Sequence, residues 1–271
     1  MADSIFKAAA IQMVSGHEVE KNLVDAGDLI AEAAKQGARL VGLPEYFCLM
    51  GRRDGDKVAI REVDGSGPIQ DFLSQTAAKH GIWLVGGTAP LETGDPGRVR
   101  NACLIYDANG KRVARYDKIH LFGFQNGTER YDESTTIEAG DAPLSIDSPF
   151  GKLGFSVCYD LRFPELYRAF APVDIIFVPS AFTATTGRAH WETLLRARAI
   201  ENLAYVIAPA QGGTHSNRRA TWGHSMIIDP WGEILACRDE GPGVVIAEID
   251  LSKNAKVRAS LPALDHRILG V

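Results

Sequence analysis

The side chain best suited to covalent chemistry is Cys158, which closes the apolar run Gly151-Lys152-Leu153-Gly154-Phe155-Ser156-Val157-Cys158. A helix is expected within the next few residues, with Pro164 suited to its first turn. A cysteine at such a strand-to-helix turn sits beside backbone N–H groups and a helix N-terminus, which favour thiolate and can receive a developing oxyanion. Free cysteines also serve as small buried apolar residues, so position alone leaves both readings open. A thiol nucleophile needs a proton acceptor and a group that stabilises the electrophile. His190, His215 and His224 fall in or beside loop-like segments, yet no cysteine-protease signature surrounds Cys158.

A carboxylate can take the histidine's place once burial raises its pKa. Glu45 follows the apolar run 40–43 and Pro44. That is the C-terminal end of a strand, where α/β sites gather; the alternative is a surface loop carboxylate. Lys118, in Ala114-Arg115-Tyr116-Asp117-Lys118-Ile119-His120-Leu121-Phe122, could hold developing negative charge and lower a neighbouring thiol's pKa, or be an exposed strand lysine. Glu133 lies in the polar loop Glu129-Arg130-Tyr131-Asp132-Glu133-Ser134, either functional or an ordinary solvated acid.

The elements that must position these residues read as alternating strands and helices. Apolar runs at 5–13, 40–43, 82–86, 153–158, 174–179, 205–210, 225–229 and 244–249 are hydrophobic at successive positions, as in strands covered on both faces. Helical stripes occupy 18–36, 68–80 (opened by Pro68 and ended at Gly81) and 192–201. The turn 107–110 joins strands 99–106 and 111–116, and Pro230-Trp231-Gly232 makes a second hairpin. The pattern is α/β with a mixed sheet layered against helices.

Composition sets the bounds. The 271 residues carry 29 basic and 34 acidic side chains, a net charge of −5, with 45% hydrophobic residues. That is the balance of a soluble globular chain of one domain, 1–271, with a core at about 5–250 and a C-terminal extension at 251–271. No basic stripe argues for nucleic acid, and no run of about 18 apolar residues argues for a membrane span. The N-terminus, with Asp3 and a short apolar stretch, does not read as a signal peptide. Cys48, Cys103, Cys158 and Cys237 lie far apart, without zinc-ligand spacing, so reduced thiols, no metal and a cytoplasmic location are expected.

The decision comes from combination and order. Leu43-Pro44-Glu45, Tyr116-Asp117-Lys118-Ile119-His120-Leu121-Phe122, Glu133-Ser134 before Gly140-Asp141, and Cys158-Tyr159-Asp160 follow one another along the chain. Together they resemble the nitrilase, or carbon–nitrogen hydrolase, superfamily over about residues 5–250. The resemblance implies a four-layer α-β-β-α sandwich, often a homodimer or higher homo-oligomer, acting on a small-molecule amide without a cofactor. It implies that Cys158 attacks the amide carbon while Glu45 takes the thiol proton and passes one to departing ammonia. Lys118 and the Tyr159 N–H would hold the oxyanion, Glu45 would then activate water against the thioester, and Glu133 would orient Lys118 or substrate.

The segments Cys158-Tyr159-Asp160-Leu161-Arg162-Phe163-Pro164-Glu165-Leu166, Pro179-Ser180-Ala181-Phe182-Thr183 and Thr186-Gly187-Arg188-Ala189-His190-Trp191-Glu192 look like the Nit-type amidases. That branch hydrolyses an amide at the far end of an α-keto acid. Arg162 could grip the keto acid's carboxylate with its guanidinium fork, or pair with Asp160 or Glu165. Phe182 and Thr183 could line the same pocket, or Phe182 could be core. Gln211 to His215, with Arg218 and Arg219, looks more like the deaminated-glutathione branch, whose substrate carries a peptide-like tail with an extra carboxylate. The alternatives are an omega-amidase acting on α-ketoglutaramate, a nitrilase, a carbamoyl-amide hydrolase, or a binding protein that keeps the fold without turnover.

Overall fold

The computed structural model describes residues 4–127 and 129–269; Asp3 and the last two residues of the C-terminal extension lie outside them. The chain begins β1 (Ile5–Gln12), α1 (Val19–Lys35), β2 (Ala38–Gly42), α2 (Asp56–Ala59), α3 (Pro68–His80), β3 (Trp83–Val85) and β4 (Ala89–Glu92). It continues through β5 (Val99–Tyr106), β6 (Arg112–Asp117), β7 (Gly123–Asn126), β8 (Glu129–Asp132), β9 (Leu144–Ser148) and β10 (Gly151–Phe155). After α4 (Pro164–Phe170) come β11 (Ile175–Phe177), α5 (Ala184–Asn202), β12 (Tyr205–Ala208), β13 (Gly212–Thr214), β14 (Ala220–Trp222) and β15 (Ser225–Ile228). The strands β16 (Ile234–Arg238) and β17 (Gly243–Asp250) and the helix α6 (Leu251–Ser260) complete it.

Two sheets carry the architecture. One runs β17-β1-β2-β3-β5-β4 with β6 paired to β5, the other β16-β15-β12-β11-β10-β9. The unbroken apolar runs are explained by the two-residue period of a strand. On β1, Ala8 and Ala10 enter a core shared with Phe155, Phe177 and Ile207 of the other sheet, while Ala9 and Ile11 pack against Ala26 and Ile30 of α1 and Leu73 of α3. On β5, Cys103 and Ile105 face the shared core and Ala102 and Leu104 the helices. Both faces are buried, so both are mostly apolar, and the buried polar side chains, Gln12 of β1 and Asn101 of β5, are hydrogen-bonded. Trp191, Leu195 and Ala199 of α5 cover the far side of the second sheet, giving the α-β-β-α sandwich. Among the described residues no helix is long and apolar enough to cross a membrane.

Helix ends follow local chemistry. α3 starts with Pro68 in its first turn and stops at Gly81, whose φ of 62° is left-handed. α5 is nearly twice the helix expected at 192–201: the Thr183 side chain caps it by accepting from Thr186 N, nine residues before that expected start. The C-terminal extension also needs correcting. Its first half is the helix α6, where Asn254 and Val257 are buried and Asn254 Nδ2 donates to Asp174 O at 2.9 Å. Arg258 pairs with the Asp174 carboxylate at 3.0 Å, so α6 belongs to the packed body.

β1, β2 and β3 run parallel, as do β10, β11 and β12. The C-terminal ends of β2 and β11 meet, since Ala181 N donates to Glu45 Oε2 at 3.0 Å and Gln211 Nε2 to Glu45 O at 3.1 Å. Gly87 makes the turn beside Glu45 possible: its φ is +58°, and a Cβ there would lie 2.2 Å from Pro44 O. Gly87→Ala should therefore cost more than about 1 kcal/mol in denaturant unfolding. Gly94→Ala, which meets nothing within 4 Å, should be neutral; equal stability of the two variants would refute this account of the turn.

Candidate active site

The turn after β2 carries Glu45 inward, and its carboxylate is fully engaged. Oε1 accepts from Lys118 Nζ at 2.8 Å and from Asn101 Nδ2 at 2.9 Å, and Oε2 from Ala181 N. Lys118 follows β6 and is fixed by its backbone, which donates to Asn101 O at 3.1 Å. The ammonium reaches a second acid, Glu133 Oε2, at 2.7 Å. Glu133 opens a short 3₁₀ turn, and also accepts from Phe122 N and Tyr46 Oη, each at 2.7 Å. Lys118 and Glu45 have 0% and 1% of their side chains exposed, which disposes of the surface reading of both. Glu133 is 11% exposed, so it is no solvated loop acid.

Cys158 begins a 3₁₀ helix, Cys158–Arg162, directly after β10 and is itself left-handed at φ 51°. For a residue other than glycine this strain costs roughly 1–3 kcal/mol and persists only where surroundings enforce it. Asp160 enforces it. Its buried carboxylate accepts from Val157 N at 2.8 Å, Tyr116 Oη at 2.7 Å and His120 N at 2.9 Å. Arg198 of α5 donates to Leu161 O at 3.1 and 2.8 Å, and Cys158 N to Pro179 O at 2.9 Å. Tyr159 stands in the helix's first turn, where no intrahelical carbonyl reaches its N–H.

Electrostatics corrects one expectation. The Cys158 thiol is not a resting thiolate: burial and then the Glu45 charge push its pKa well above the ordinary value, and Lys118 offsets only part of this. Two carboxylates and one ammonium already leave a buried net negative charge, so a further anion is disfavoured. Burial pulls the Lys118 ammonium down, but Glu133 and Glu45 outweigh it and its pKa ends raised. Burial pushes the Glu133 carboxyl up, while Lys118 and the donors Phe122 N and Tyr46 Oη bring it below the usual carboxylate range. A protonated thiol beside a carboxylate can react only by passing its proton on as the new bond forms.

Cys158 shares a small apolar pocket with Tyr159, Arg162, Phe182, Thr183 and Phe122. All four residues expected to bind substrate thus line it. Arg162 pairs with neither Asp160 nor Glu165: its guanidinium lies 5.7 Å over the Tyr159 ring and 5.5 Å over Phe182, with Nη1 3.3 Å from His190 Nδ1. Phe182 is both lining and core, its ring 4.8 Å from that of Trp191 and tilted by 52°. Asn101 and Tyr46 escaped the sequence reading, and Asp160 entered it only as part of the Cys158-Tyr159-Asp160 motif and as a possible partner of Arg162. A polar Asn101 at the head of the apolar run 102–106 of strand β5 was the available signal, since asparagine is depleted in strands. Among the described residues no group of three or more His, Cys, Asp or Glu is placed to hold a metal ion.

Comparison with known proteins agrees with this geometry. The carbon-nitrogen hydrolase family model matches residues 7–259. A deaminated glutathione amidase of Synechocystis sp. is 45% identical over 269 residues, covering 97% of this chain and 98% of the relative. The human protein of the same name is 39% identical, over 96% of this chain and 81% of its own. Nit3 of Saccharomyces cerevisiae, described as a member of branch 10 of the nitrilase superfamily, superposes with a TM-score of 0.87 at 31% identity, covering 99% and 98% of the two chains. The NitFhit protein of C. elegans gives 0.88 at 39% identity, and this chain, 99% covered, spans 66% of it.

The buried triad generates a pH test. Lys118→Met leaves two carboxylates facing one another, and loss of a buried partner costs about 3–5 kcal/mol at neutral pH. In the native protein the lowered Glu133 pKa contributes stability above the unfolded glutamate value, about 4.3, that is lost as pH falls through the folded one. In the variant the acids' pKa values rise, and protonation relieves the repulsion. The stability gap between the two, from urea unfolding, should therefore shrink as pH drops from 7 to 4; a constant gap would contradict it.

Proposed function

The chain belongs to the carbon–nitrogen hydrolase family, and from that premise we propose that it hydrolyses the internal amide of deaminated glutathione, releasing α-ketoglutarate and cysteinylglycine. The observation that carries the reading is a protonated, strained Cys158 in electrostatic contact with a Glu45 carboxylate that Lys118, Asn101 and Ala181 hold in place. The substrate comes from the relatives of that name, 37–45% identical over nearly the whole chain, and from the arginine in the Cys158 pocket.

In this reading Glu45 takes the Sγ proton as sulfur bonds to the amide carbon. The oxygen becomes an oxyanion facing the Lys118 ammonium and the Tyr159 N–H. Glu45 returns the proton to the amine nitrogen, the C–N bond breaks, and cysteinylglycine leaves a thioester on Cys158. Glu45, again a carboxylate, takes a proton from water; hydroxide attacks the thioester and the sulfur departs, reprotonated by Glu45. Glu133 carries no proton. It holds Lys118 charged and aligned through the 2.7 Å contact. A solved amidase of Nesterenkonia sp., 25% identical with a TM-score of 0.77, carries acrylamide at its active-site cysteine, a Michael addition that supports a nucleophilic role for Cys158.

Arg162 is read as the fork for the keto acid's carboxylate. The protein is further read as cytoplasmic and as a homo-oligomer, the second reading supported by exposed Trp231 (62%) and Ile200 (46%) beside Gly232.

Product release from deaminated glutathione and α-ketoglutaramate tests the function. Deaminated glutathione should be preferred, Cys158→Ala should be inert, and Glu45→Gln should lose about 10²–10⁴-fold in kcat. Arg162→Ala should lose about 1.5–3 kcal/mol of carboxylate binding, roughly 10–100-fold in KM. Failure to hydrolyse either keto-acid amide would overturn the reading; a preference for α-ketoglutaramate would make the protein an omega-amidase.

A further inference from the structure

A chain with a net charge of −5 gathers six cations at one place. Arg52, Arg53, Lys57, Arg130, Arg218 and Arg219 line an open cavity of about 440 Å³, against only two carboxylates, Asp54 and Glu129. That volume falls within the usual range for small-ligand pockets, about 300–1,000 Å³. Glu129 is already engaged by Thr185 Oγ1 at 2.9 Å. Arg53, Arg130 and Arg218 have no ion-pair partner among the described residues. The Arg219 guanidinium makes one hydrogen bond, Nη2 to Ala181 O at 3.1 Å, and its Nε is buried without a hydrogen-bond partner among the described residues. Lys57 is short of anions too: burial lowers its pKa, and Arg219 and Lys118 lower it further against Glu133 and Asp54.

The cavity communicates with the site. Tyr46, Lys57, Tyr131 and Arg219 also line a narrow neck of about 20 Å³ that reaches Glu133 and Phe122, and Phe122 in turn borders Cys158. The neck's cations are pinned on aromatic rings, Lys57 at 5.6 Å from Tyr46 and Arg219 at 5.0 Å from Tyr131. Ala181 joins the two regions through one residue, its N–H holding Glu45 and its carbonyl holding Arg219. Arg162 lies in the other pocket, on the Cys158 side of Phe122. The two arginine-bearing regions are thus separate, with Phe122 and Glu133 between them.

We propose that this cavity is the leaving-group subsite, and that it takes the C-terminal carboxylate of a short peptide amine rather than its thiol. The inference rests on the function proposed above and extends it: the substrate class becomes keto-acid amides of anionic peptide amines, with or without sulfur. Besides the six cations and two carboxylates the walls present Tyr46, Tyr131, Asn217, Leu49 and Met50, and cations outnumber every other polar group, which suits a carboxylate better than a thiol. Primary amides, which lack a tail, use only the Arg162 side.

The first test is calorimetric titration of the full chain, as Cys158→Ala, with cysteinylglycine, alanylglycine and cysteinylglycine amide. The two free acids should bind alike, at least tenfold tighter than the amide, and the exposed-residue double variant Arg53→Ala/Arg218→Ala should erase that preference while Arg53→Lys/Arg218→Lys keeps part of it. Equal binding of acid and amide, or no binding of either, would overturn the subsite whatever the enzyme turns over. In the second test the alanine double variant, on the active chain, should lower kcat/KM for deaminated glutathione at least tenfold more than for α-ketoglutaramate; equal losses would also overturn it. A chain that keeps the carboxylate preference but leaves deaminated glutathione intact would refute the proposed function and leave the subsite standing.

Discussion

One ammonium governs this molecule. Lys118 is wholly buried between Glu45 and Glu133, and two acids could not be held in the interior without it. Desolvating an unpaired charge costs several kcal/mol, so the site tolerates its acids only as a hydrogen-bonded set. Every donor in reach is used: Asn101 and Ala181 on Glu45, Phe122 and Tyr46 on Glu133. These donors come from β5, from the segment after β11, and from the loops after β6 and β2. The charge cluster therefore fixes how the ends of both sheets come together.

The same cluster sets the chemical state of Cys158. Burial first, and then the Glu45 charge, push the thiol pKa up and favour the protonated form, unlike the thiolate that a helix N-terminus and a lysine would favour by themselves. A carboxylate base requires that outcome, because it has to find a proton to take. Rigidity comes from a second buried acid. Asp160 binds the backbone of Val157 just before the turn, the backbone of His120 in the Lys118 loop and the side chain of Tyr116, and the left-handed conformation of Cys158 is held there at a cost met by the surrounding hydrogen bonds. His120 bonds the same carboxylate and stacks 3.7 Å from Phe163, which ties the Lys118 loop to the segment leading into α4.

Charge is also distributed over a longer range. The reacting centre is negative, and beyond the neck at Tyr46 and Tyr131 the surface turns positive. An anionic amide approaching from that side meets attraction before it meets the carboxylates, and focused fields of this kind raise local substrate concentration. Arg219 stands at the boundary, bonded to the same residue that holds Glu45.

The sequence by itself determined the layered α/β plan and the members of the charge cluster. Short unbroken apolar runs read as strands covered on both faces, and β1 shows why, with Ala8 and Ala10 turned to one core and Ala9 and Ile11 to another. Glu45, Lys118, Glu133 and Cys158 were legible through their order and local motifs. Periodicity could not show the length of α5, whose first eight residues carry no apolar stripe, or that α6 packs into the body. Nor could it reveal Asn101, Tyr46 and Asp160, because their value lies in partners 56, 87 and 44 residues away. Tertiary structure alone decided the protonation of Cys158, the pairing of Arg162 and the gathering of arginines from 52–53, 130 and 218–219 around one cavity. The physical reason is the same in each case: burial and Coulomb interaction depend on distance in space, and residue order fixes that distance only within a strand, a turn or a helix.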